Sequence, residues 1–218
     1  INTSQNAICR LDKIIEEFML CANETVAEHF FWMEVPFLYR VHEEPKMEDV
    51  LDVNKFLQAF GYNIKGLSNH VHAKAYQNVV EQVTGKPEEM MINTVMLRSM
   101  QHARYDVEAL GHFGLAAQYY SHFTSPIRRY PDLAIHRMIK ELIHNGDRLD
   151  EKRVIILKEK MKHYAEQASV REKIAEEAER ESVELKKIEY MKPYVGDVFQ
   201  AKISGVTNFG IFVQLDNS

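Results

Sequence analysis

Cysteine is nearly absent from this sequence of 218 residues, and the shortage restricts the class of protein. The two cysteines, Cys9 and Cys21, are too few for a disulfide framework and form no C-x-x-C pair, so we expect reduced thiols in the core. No run approaches the roughly 18 uncharged apolar residues that a membrane helix needs. The N-terminal residues show no basic segment followed by an apolar one, as a secretory signal would. These features predict a soluble, cytoplasmic protein with no membrane contact.

Catalytic motifs are equally scarce. The sequence contains no Gly-Lys-Ser/Thr phosphate loop, no G-x-S-x-G and no paired Cys/His nucleophile. Its ten histidines form no H-E-x-x-H motif, and His70 and His72 would point to different faces of a helix. The nine aspartates are scattered, so they form no tight group able to hold Mg²⁺ against a phosphate. We therefore predict no metal site and no complete hydrolytic centre within this sequence.

An excess of positive charge is also lacking, because 27 Lys and Arg against 32 Asp and Glu give a net charge of −5. Any contact with nucleic acid must therefore come from a local basic patch. The composition is 45% hydrophobic and 27% charged, which is typical of a globular protein of one or two domains. Because the chain starts at Ile1 without a methionine and stops after a predicted strand, we expect it to be part of a longer protein.

Apolar residues recur every three to four positions through most of the chain, which predicts helices. From Ile8 to Phe30 the spacing predicts one long helix with a single buried face, followed by an extended segment at residues 35–41. Four further helices are predicted from capping, proline and glycine signals, after Pro45 to Gly61, from Ser68 to Gly85, from Glu88 to Tyr105, and from Pro131 to near Gly146. These elements make residues 1–150 one predicted domain.

Residues 151–192 predict a last, long helix whose apolar seam consists mostly of small residues. Such a seam favours close packing of the helix on its own domain over a leucine-rich dimer, so we expect a monomer. After Pro193 and Gly196 the apolar period changes to two, which predicts a β-hairpin with Thr207 and Asn208 between its strands. Residues 193–218 would thus begin a second domain.

Two phenylalanines give this hairpin a possible ligand contact. Phe209 and Phe212 are an odd number of positions apart, so on one strand they would face opposite sides. One ring could then lie in the core while the other stacks on a base. The alternative, that both rings are partly core, stays open.

The most polar and aromatic stretch, Tyr119 to Asp132, contains Thr124, Ser125 and the adjacent Arg128 and Arg129 just before a predicted helix. Arginine forks bind phosphate oxygens, free amides at a helix start favour anions, and aromatic faces stack on bases. Together they suit a phosphodiester strand. The residues alone equally allow a capped helix whose arginines pair with acids such as Asp132.

This stretch resembles the RNB-type exoribonucleases, in particular their bacterial members. The resemblance rests on the run H-F-T-S-P-I-R-R-Y-P-D-L at residues 122–133 and on H-F-G-L-A at residues 112–116. Shorter segments also match, namely residues 17–20, 22–23, 39–43, 97–100 and 136–137. Residues 196–215 resemble the start of the OB-fold domain that follows the nuclease domain in this family.

The resemblance implies 3′-to-5′ processive hydrolysis of single-stranded RNA to nucleoside 5′-monophosphates with Mg²⁺. It implies an α+β fold, with a mainly helical part of the nuclease domain followed by the first strands of a β-barrel. Arg128 matches the arginine that contacts the scissile phosphate. The implied RNA-binding residues are His112, Phe113, Thr124, Ser125, Arg129, Tyr130, Phe209 and Phe212.

The family's cluster of metal-binding aspartates has no counterpart here, so the resemblance implies that the Mg²⁺ ligands lie upstream of this chain. The chain alone would then be inactive, and active within a complete enzyme. Two alternatives remain, a non-catalytic RNA-binding protein on a degenerate nuclease scaffold and a helical interaction module that uses residues 151–192. Glu179 is either a match to a family glutamate near the RNA 3′ end or a solvated helix acid.

Overall fold

The structure is a computed structural model that describes residues 2–67 and 70–215, with side chains for all of these except residues 2–10, 202, 204 and 206. The six helices described are α1 (Asn2–Trp32), α2 (Met47–Gln58), α3 (Ala73–Val83), α4 (Glu89–Ser99), α5 (Tyr130–His144) and α6 (Glu151–Met191). The strands are β1 (Tyr39–Val41), β2 (Arg104–Asp106), β3 (Ala201–Thr207) and β4 (Gly210–Leu215). Short 3₁₀ turns lie at Phe113–Leu115 and Lys192–Tyr194. The predicted mainly helical architecture is confirmed.

The chain divides into two compact units, Ile1–Ser169 and Val170–Ser218. In the first unit, β1 pairs antiparallel with β2, with Arg40 opposite Tyr105. In the second, β3 pairs antiparallel with β4 in a hairpin that has a register shift between Ile203 and Gly205. No helix in the described part of the chain is both long enough and apolar enough to cross a membrane.

The first unit has two apolar cores. One joins the C-terminal part of α1 to β1, α5 and the first turns of α6, with Phe37, Ile135 and Met161 almost fully buried. The other is formed by α2, α3 and α4, whose Leu57, Val79 and Ile92 meet Phe113 of the first 3₁₀ turn. Phe113 therefore reaches the α2–α4 core, whereas Tyr119 and Phe123 pack against the other core.

Helix α1 differs from its prediction in how much of its apolar face is buried. Among its described side chains, Leu11, Ile15 and Phe18 are more than half exposed, whereas Ala27 and Phe30 are buried. The 3.6-residue period marks an apolar face, but burial requires a neighbouring element, and within the described residues such neighbours surround only the C-terminal half.

Both cysteines were predicted to be core thiols. Cys21 is free and exposed, so that prediction is wrong for this residue. Apolar periodicity at this point of α1 allowed either Cys21 or Ala22 to lie on the buried face, and in the structure Cys21 faces solvent. The side chain of Cys9 lies outside those described.

The helix predicted from Glu88 to Tyr105 ends at Ser99. Met100 adopts an extended conformation, and Arg104–Asp106 form β2 instead. Their pairing with β1, a long-range contact, overrides the local helical tendency. The predicted N-cap Ser68 lies outside the described residues, and α3 begins at Ala73 after His72.

The long helix at residues 151–192 is confirmed as α6, but only its first turns are buried. Leu157, Met161 and Ala165 lie in the core of the first unit. The seam residues beyond Ser169, such as Ala175 and Leu185, are exposed. Packing of the helix on its own domain is therefore confirmed for its N-terminal half alone.

Candidate functional site

Residues 119–129, which we call the arginine loop, are held in place by Asn23 of α1. Asn23 is 3% exposed, and its Oδ1 accepts hydrogen bonds from the backbone N–H groups of Phe123 (3.1 Å) and Thr124 (3.3 Å). Its Nδ2 donates to the hydroxyl of Tyr120 at 3.1 Å. One buried amide on a helix thus fixes three positions of a loop about a hundred residues away in sequence.

Two further contacts anchor the same loop. The hydroxyl of Ser121, itself buried, donates to the carbonyl oxygen of Leu38 at 2.6 Å. On the α5 side, the Nε2 of His136 donates to the carbonyl oxygen of Phe123 at 2.9 Å, and the two rings stack at 4.2 Å. The loop is therefore bonded to α1, to the segment before β1 and to α5, so its backbone is preorganised.

Arg129 and Asp132 form an internal ion pair at the junction of the loop and α5. Asp132 is fully buried, and its Oδ2 accepts from Arg129 Nη2 (2.8 Å), from Arg129 Nε (3.2 Å) and from the backbone N–H of Ser125 (2.8 Å). Both guanidinium donors share this one carboxylate oxygen in charge-assisted hydrogen bonds, while Oδ1 is buried and has no hydrogen-bond partner among the described residues. Arg129 therefore serves the loop's structure, as the alternative of paired arginines anticipated.

Arg128 is arranged differently from its neighbour. Its side chain is exposed and has no hydrogen bond or ion pair with any residue that the structure describes, while its backbone N–H donates to Ser125. Ile127 beside it is fully exposed. The two adjacent arginines predicted as a fork are thus separated, and only Arg128 presents an unpaired guanidinium to solvent.

A layer of neutral histidines includes His122 of the arginine loop itself and His112 before the first 3₁₀ turn. Burial lowers the pKa of His122 to about 3, with further lowering from Arg129 and Arg40. Burial likewise lowers the pKa of His112 to about 4, with a contribution from His42. His122 Nδ1 is hydrogen-bonded to the hydroxyl of Tyr105 at 2.9 Å. The layer stays uncharged at neutral pH, so it adds no positive charge to that of the arginines.

His42 connects this layer to the 3₁₀ turn. Its Nδ1 accepts from the backbone N–H of Gly114 at 3.0 Å, so its Nε2 carries the proton and donates to the carbonyl oxygen of Gln101 at 2.8 Å. A Cβ on Gly114 would lie 2.9 Å from that Nδ1, closer than contacts permit. Glycine is required there by this close approach.

The predicted RNA-binding residues of the first unit fall into two groups that differ in how far their side chains are exposed. Phe113 is buried in the α2–α4 core, and the partly buried ring of His112 accepts a hydrogen bond from the backbone N–H of Leu115, so neither is a freely exposed platform. Thr124 and Ser125 are partly exposed beside Arg128, and Tyr130 is 48% exposed at the first residue of α5.

The prediction that Phe209 and Phe212 face opposite sides of a strand is wrong. Phe209 lies in the two-residue turn before β4, where strand alternation does not apply. The two rings meet edge to face at 6.0 Å, and both are more than half exposed. They therefore form a single exposed aromatic pair at the hairpin, and neither is core.

Sequence reasoning assigned no role to Asn23, His42 or Tyr105, although Asn23 and Tyr105 are hydrogen-bonded to the arginine loop and His42 holds the neighbouring 3₁₀ turn. Asn23 and His42 lie in two of the short segments that resemble the RNB family. That resemblance was the signal that could have identified them. Among the described residues, no group of three or more His, Cys, Asp and Glu side chains is placed to hold a metal ion.

Comparison with known proteins covers nearly the whole chain. Residues 5–145 match the family model described as the RNB domain. The chain is 45% identical over 208 residues to ribonuclease R 1 of Lactococcus lactis, covering 95% of this chain and 25% of that protein. It is 40% identical to ribonuclease R of Escherichia coli, covering 94% of this chain and 26% of that protein. The chain thus spans about a quarter of the length of these relatives.

Solved structures agree with the sequence matches. RNase R of Mycoplasma genitalium, in complex with ribose-methylated single-stranded RNA, matches 94% of this chain and 32% of its own, with a TM-score of 0.87 and 27% identity. Yeast Ssd1, described as a pseudonuclease, matches 72% of this chain and 20% of its own, with a TM-score of 0.56 and 28% identity. Because the RNB-domain model matches more than half of its residues, this chain belongs to the RNB-domain family.

Proposed function

We propose that the chain is part of a 3′-to-5′ exoribonuclease that hydrolyses single-stranded RNA to nucleoside 5′-monophosphates, and that Arg128 contacts the scissile phosphate. The observation that carries the proposal is the exposed, unpaired guanidinium of Arg128 on a loop whose backbone is bonded from three sides. A guanidinium held in this way stabilises the negative charge that builds on phosphate oxygens in the transition state, at little reorganisation cost.

The other arginine-loop residues support that role. Arg129 is neutralised by Asp132, so it fixes the loop and leaves Arg128 as the exposed cation. Thr124, Ser125 and Tyr130 would contact the RNA strand beside it, while His112 and Phe113 would shape the floor beneath it. The proposal extends to Phe209 and Phe212, whose exposed rings offer faces for base stacking.

Magnesium ions would supply an activated water and charge neutralisation in such an enzyme. The described residues of this chain do not fit such a site, because their acids form no group of three. We therefore assign no step to a metal held by this chain and propose that its ligands lie elsewhere in the RNB domain. In the same proposal, residues 1–150 and 151–192 belong to the nuclease domain and residues 193–218 begin the OB-fold.

The test is decay of a 5′-labelled single-stranded RNA in Mg²⁺ by the protein at its full natural length. Arg128→Lys keeps the charge but loses the planar fork, so kcat should fall by about a hundredfold while RNA affinity changes by less than about threefold. Arg148→Lys, at an exposed site between α5 and α6, is the matched control and should leave both unchanged. Equal losses of kcat and affinity in Arg128→Lys would contradict the transition-state role.

One comparison favours a second candidate, a non-catalytic RNA-binding protein, because a pseudonuclease shares this part of the fold. The same assay separates the two. RNA binding by the full-length protein with no decay of the RNA in Mg²⁺ would support the second candidate, and release of nucleoside monophosphates would exclude it.

A further inference from the structure

A small cavity of about 150 Å³ lies between α5 and the first turns of α6. Its floor is apolar, formed by Ala134, Met138, Leu157 and Met161. Its polar lining consists of basic and phenolic side chains without any carboxylate, namely Tyr130, Arg137, Arg153, Lys160 and Tyr164. At about 30 Å³ for each water, the cavity has room for roughly five water molecules, which suits one phosphate group.

The basic residues of this cavity are not equivalent. Arg153 is engaged by Glu141, with Nη2 donating to Oε2 at 2.7 Å and Nε donating to Oε1, so its charge is neutralised from outside the cavity. Arg137 and Lys160 are exposed, and no described residue forms an ion pair with either of them. The cavity therefore keeps two positive charges on opposing helices that form no ion pair with any described residue, although Lys160, after Arg153, also helps to lower the pKa of Glu141.

Two tyrosines give the cavity one defined wall. The rings of Tyr130 and Tyr164 meet edge to face at 5.2 Å, and their hydroxyls are the only neutral polar side-chain groups among the lining residues. Arginine, lysine and tyrosine hydroxyl groups are all donors to phosphate oxygens. The lining is therefore suited to an anion and unsuited to a cation.

The cavity lies next to the arginine loop because Tyr130, which lines the cavity, directly follows the loop along the chain. Tyr130 follows Arg128 by two residues, so their Cα atoms lie within about 7.6 Å of each other. A strand with one phosphate at Arg128 would thus have a neighbouring phosphate within reach of Tyr130 and the cavity behind it.

We propose that Arg137, Lys160 and the hydroxyls of Tyr130 and Tyr164 form a second phosphate subsite, which holds an internucleotide phosphate of the RNA strand whose scissile phosphate lies at Arg128. The inference rests on the proposed function and adds to it a binding site on the far side of Tyr130. The site holds the strand and takes no part in the chemical step.

The test measures binding of a fluorescent single-stranded RNA to the full-length protein in EDTA, where hydrolysis is stopped. The double variant Arg137→Gln/Lys160→Gln should bind about fivefold more weakly, with a salt slope lower by about 0.7, the value for one phosphate contact on a single strand. Lys140→Gln/Lys152→Gln removes the same charge from exposed positions on the same two helices that do not line the cavity, and should retain both values. The charge-preserving Arg137→Lys/Lys160→Arg should restore most of the affinity.

A second arm locates the phosphate. Single uncharged methylphosphonate linkages are placed one at a time along the RNA, and we expect one linkage whose neutralisation weakens the wild type but not the cavity variant. Equal affinity losses in the cavity and control variants, or the same methylphosphonate profile in wild type and cavity variant, would overturn the subsite while leaving the proposed function standing. Failure of the wild type to bind RNA at all would overturn both.

Discussion

The arginine loop and the β3–β4 hairpin both expose side chains suited to RNA, but they hold them by different means. The loop carries one exposed cation on a backbone fixed by buried groups of α1 and α5, including Asn23 and Asp132. The hairpin carries Phe209 and Phe212 on a two-stranded ladder whose described side chains are mostly exposed. Only the loop therefore has the rigid support that electrostatic catalysis needs, whereas stacking on an exposed ring tolerates movement.

Acidification is expected to give the largest difference in stability between the arginine loop and the β3–β4 hairpin. His122 has a folded-state pKa of about 3 against an ordinary 6.5, so the unfolded chain binds more protons between these values. The contribution of neutral His122 to the free energy of unfolding is complete above pH 6.5 and is lost as the pH drops towards 3, amounting to about 5 kcal/mol. Urea unfolding over that pH range should show a shallower loss in His122→Gln, whereas His72→Gln, at an exposed position before α3, should follow the wild type. The hairpin at residues 201–215 contains no histidine, so its hydrogen exchange should show no histidine-linked change.

The buried ion pair should give the next largest effect. Asp132→Ala removes the partner of Arg129 and of the Ser125 N–H, so we expect a loss of about 3 kcal/mol in unfolding free energy. Asp52→Ala breaks an exposed pair with Lys55 and should cost less than about 0.5 kcal/mol. Urea denaturation of both variants measures the difference, and equal costs would show that the loop is not anchored by Asp132.

Removing Asn23 of α1 should cost less unfolding free energy than removing Asp132, and its effect should be specific to the arginine loop. Asn23→Ala leaves the N–H groups of Phe123 and Thr124 without their acceptor, which we expect to cost about 2 kcal/mol. The amides of these two residues should also lose protection from hydrogen exchange. Asn78→Ala, at an exposed position of α3, serves as the control and should change neither. Unchanged exchange in Asn23→Ala would mean that the other anchors hold the loop by themselves.

The smallest effects are expected in the hairpin. Phe212 packs over Gly205, where an added Cβ would lie 3.7 Å from its ring, so Phe212→Ala should cost about 1 kcal/mol. Phe209→Ala removes a ring that is 84% exposed and should change stability by less than about 0.5 kcal/mol. Hydrogen exchange of the β3 and β4 amides compares the two. A larger effect for Phe209 would show that the turn, and not the ladder, holds the hairpin.

Most of the elements could be predicted because their signals are local. Apolar periodicity identified α1, α2, α3, α5 and α6, and Pro131 and Gly146 marked the ends of α5 within one or two residues. The predictions that went wrong depended on distant partners. β2 formed from residues predicted as helix because β1 offered a strand to pair with, and Phe209 fell in a turn that alternation could not identify.

The candidate site, like the fold, was predictable where its signals are local and not where it depends on distant residues. The residue types between Tyr119 and Asp132 predicted an anion-binding loop at a helix start, and their resemblance to the RNB family identified Arg128. The residue types left open whether an arginine pairs with Asp132, and only the structure shows that Arg129 does and Arg128 does not. No local pattern could show that Asn23 holds the loop from about a hundred positions away.

The sequence by itself determined which segments are helical, which stretch carries the chemistry and which family the chain resembles, because residue spacing and motif are written along the chain. The tertiary structure alone decided which of two adjacent arginines is free, which histidines stay neutral and where a basic cavity opens beside the loop. These depend on burial and on charges brought together from distant positions, and a one-dimensional pattern contains neither.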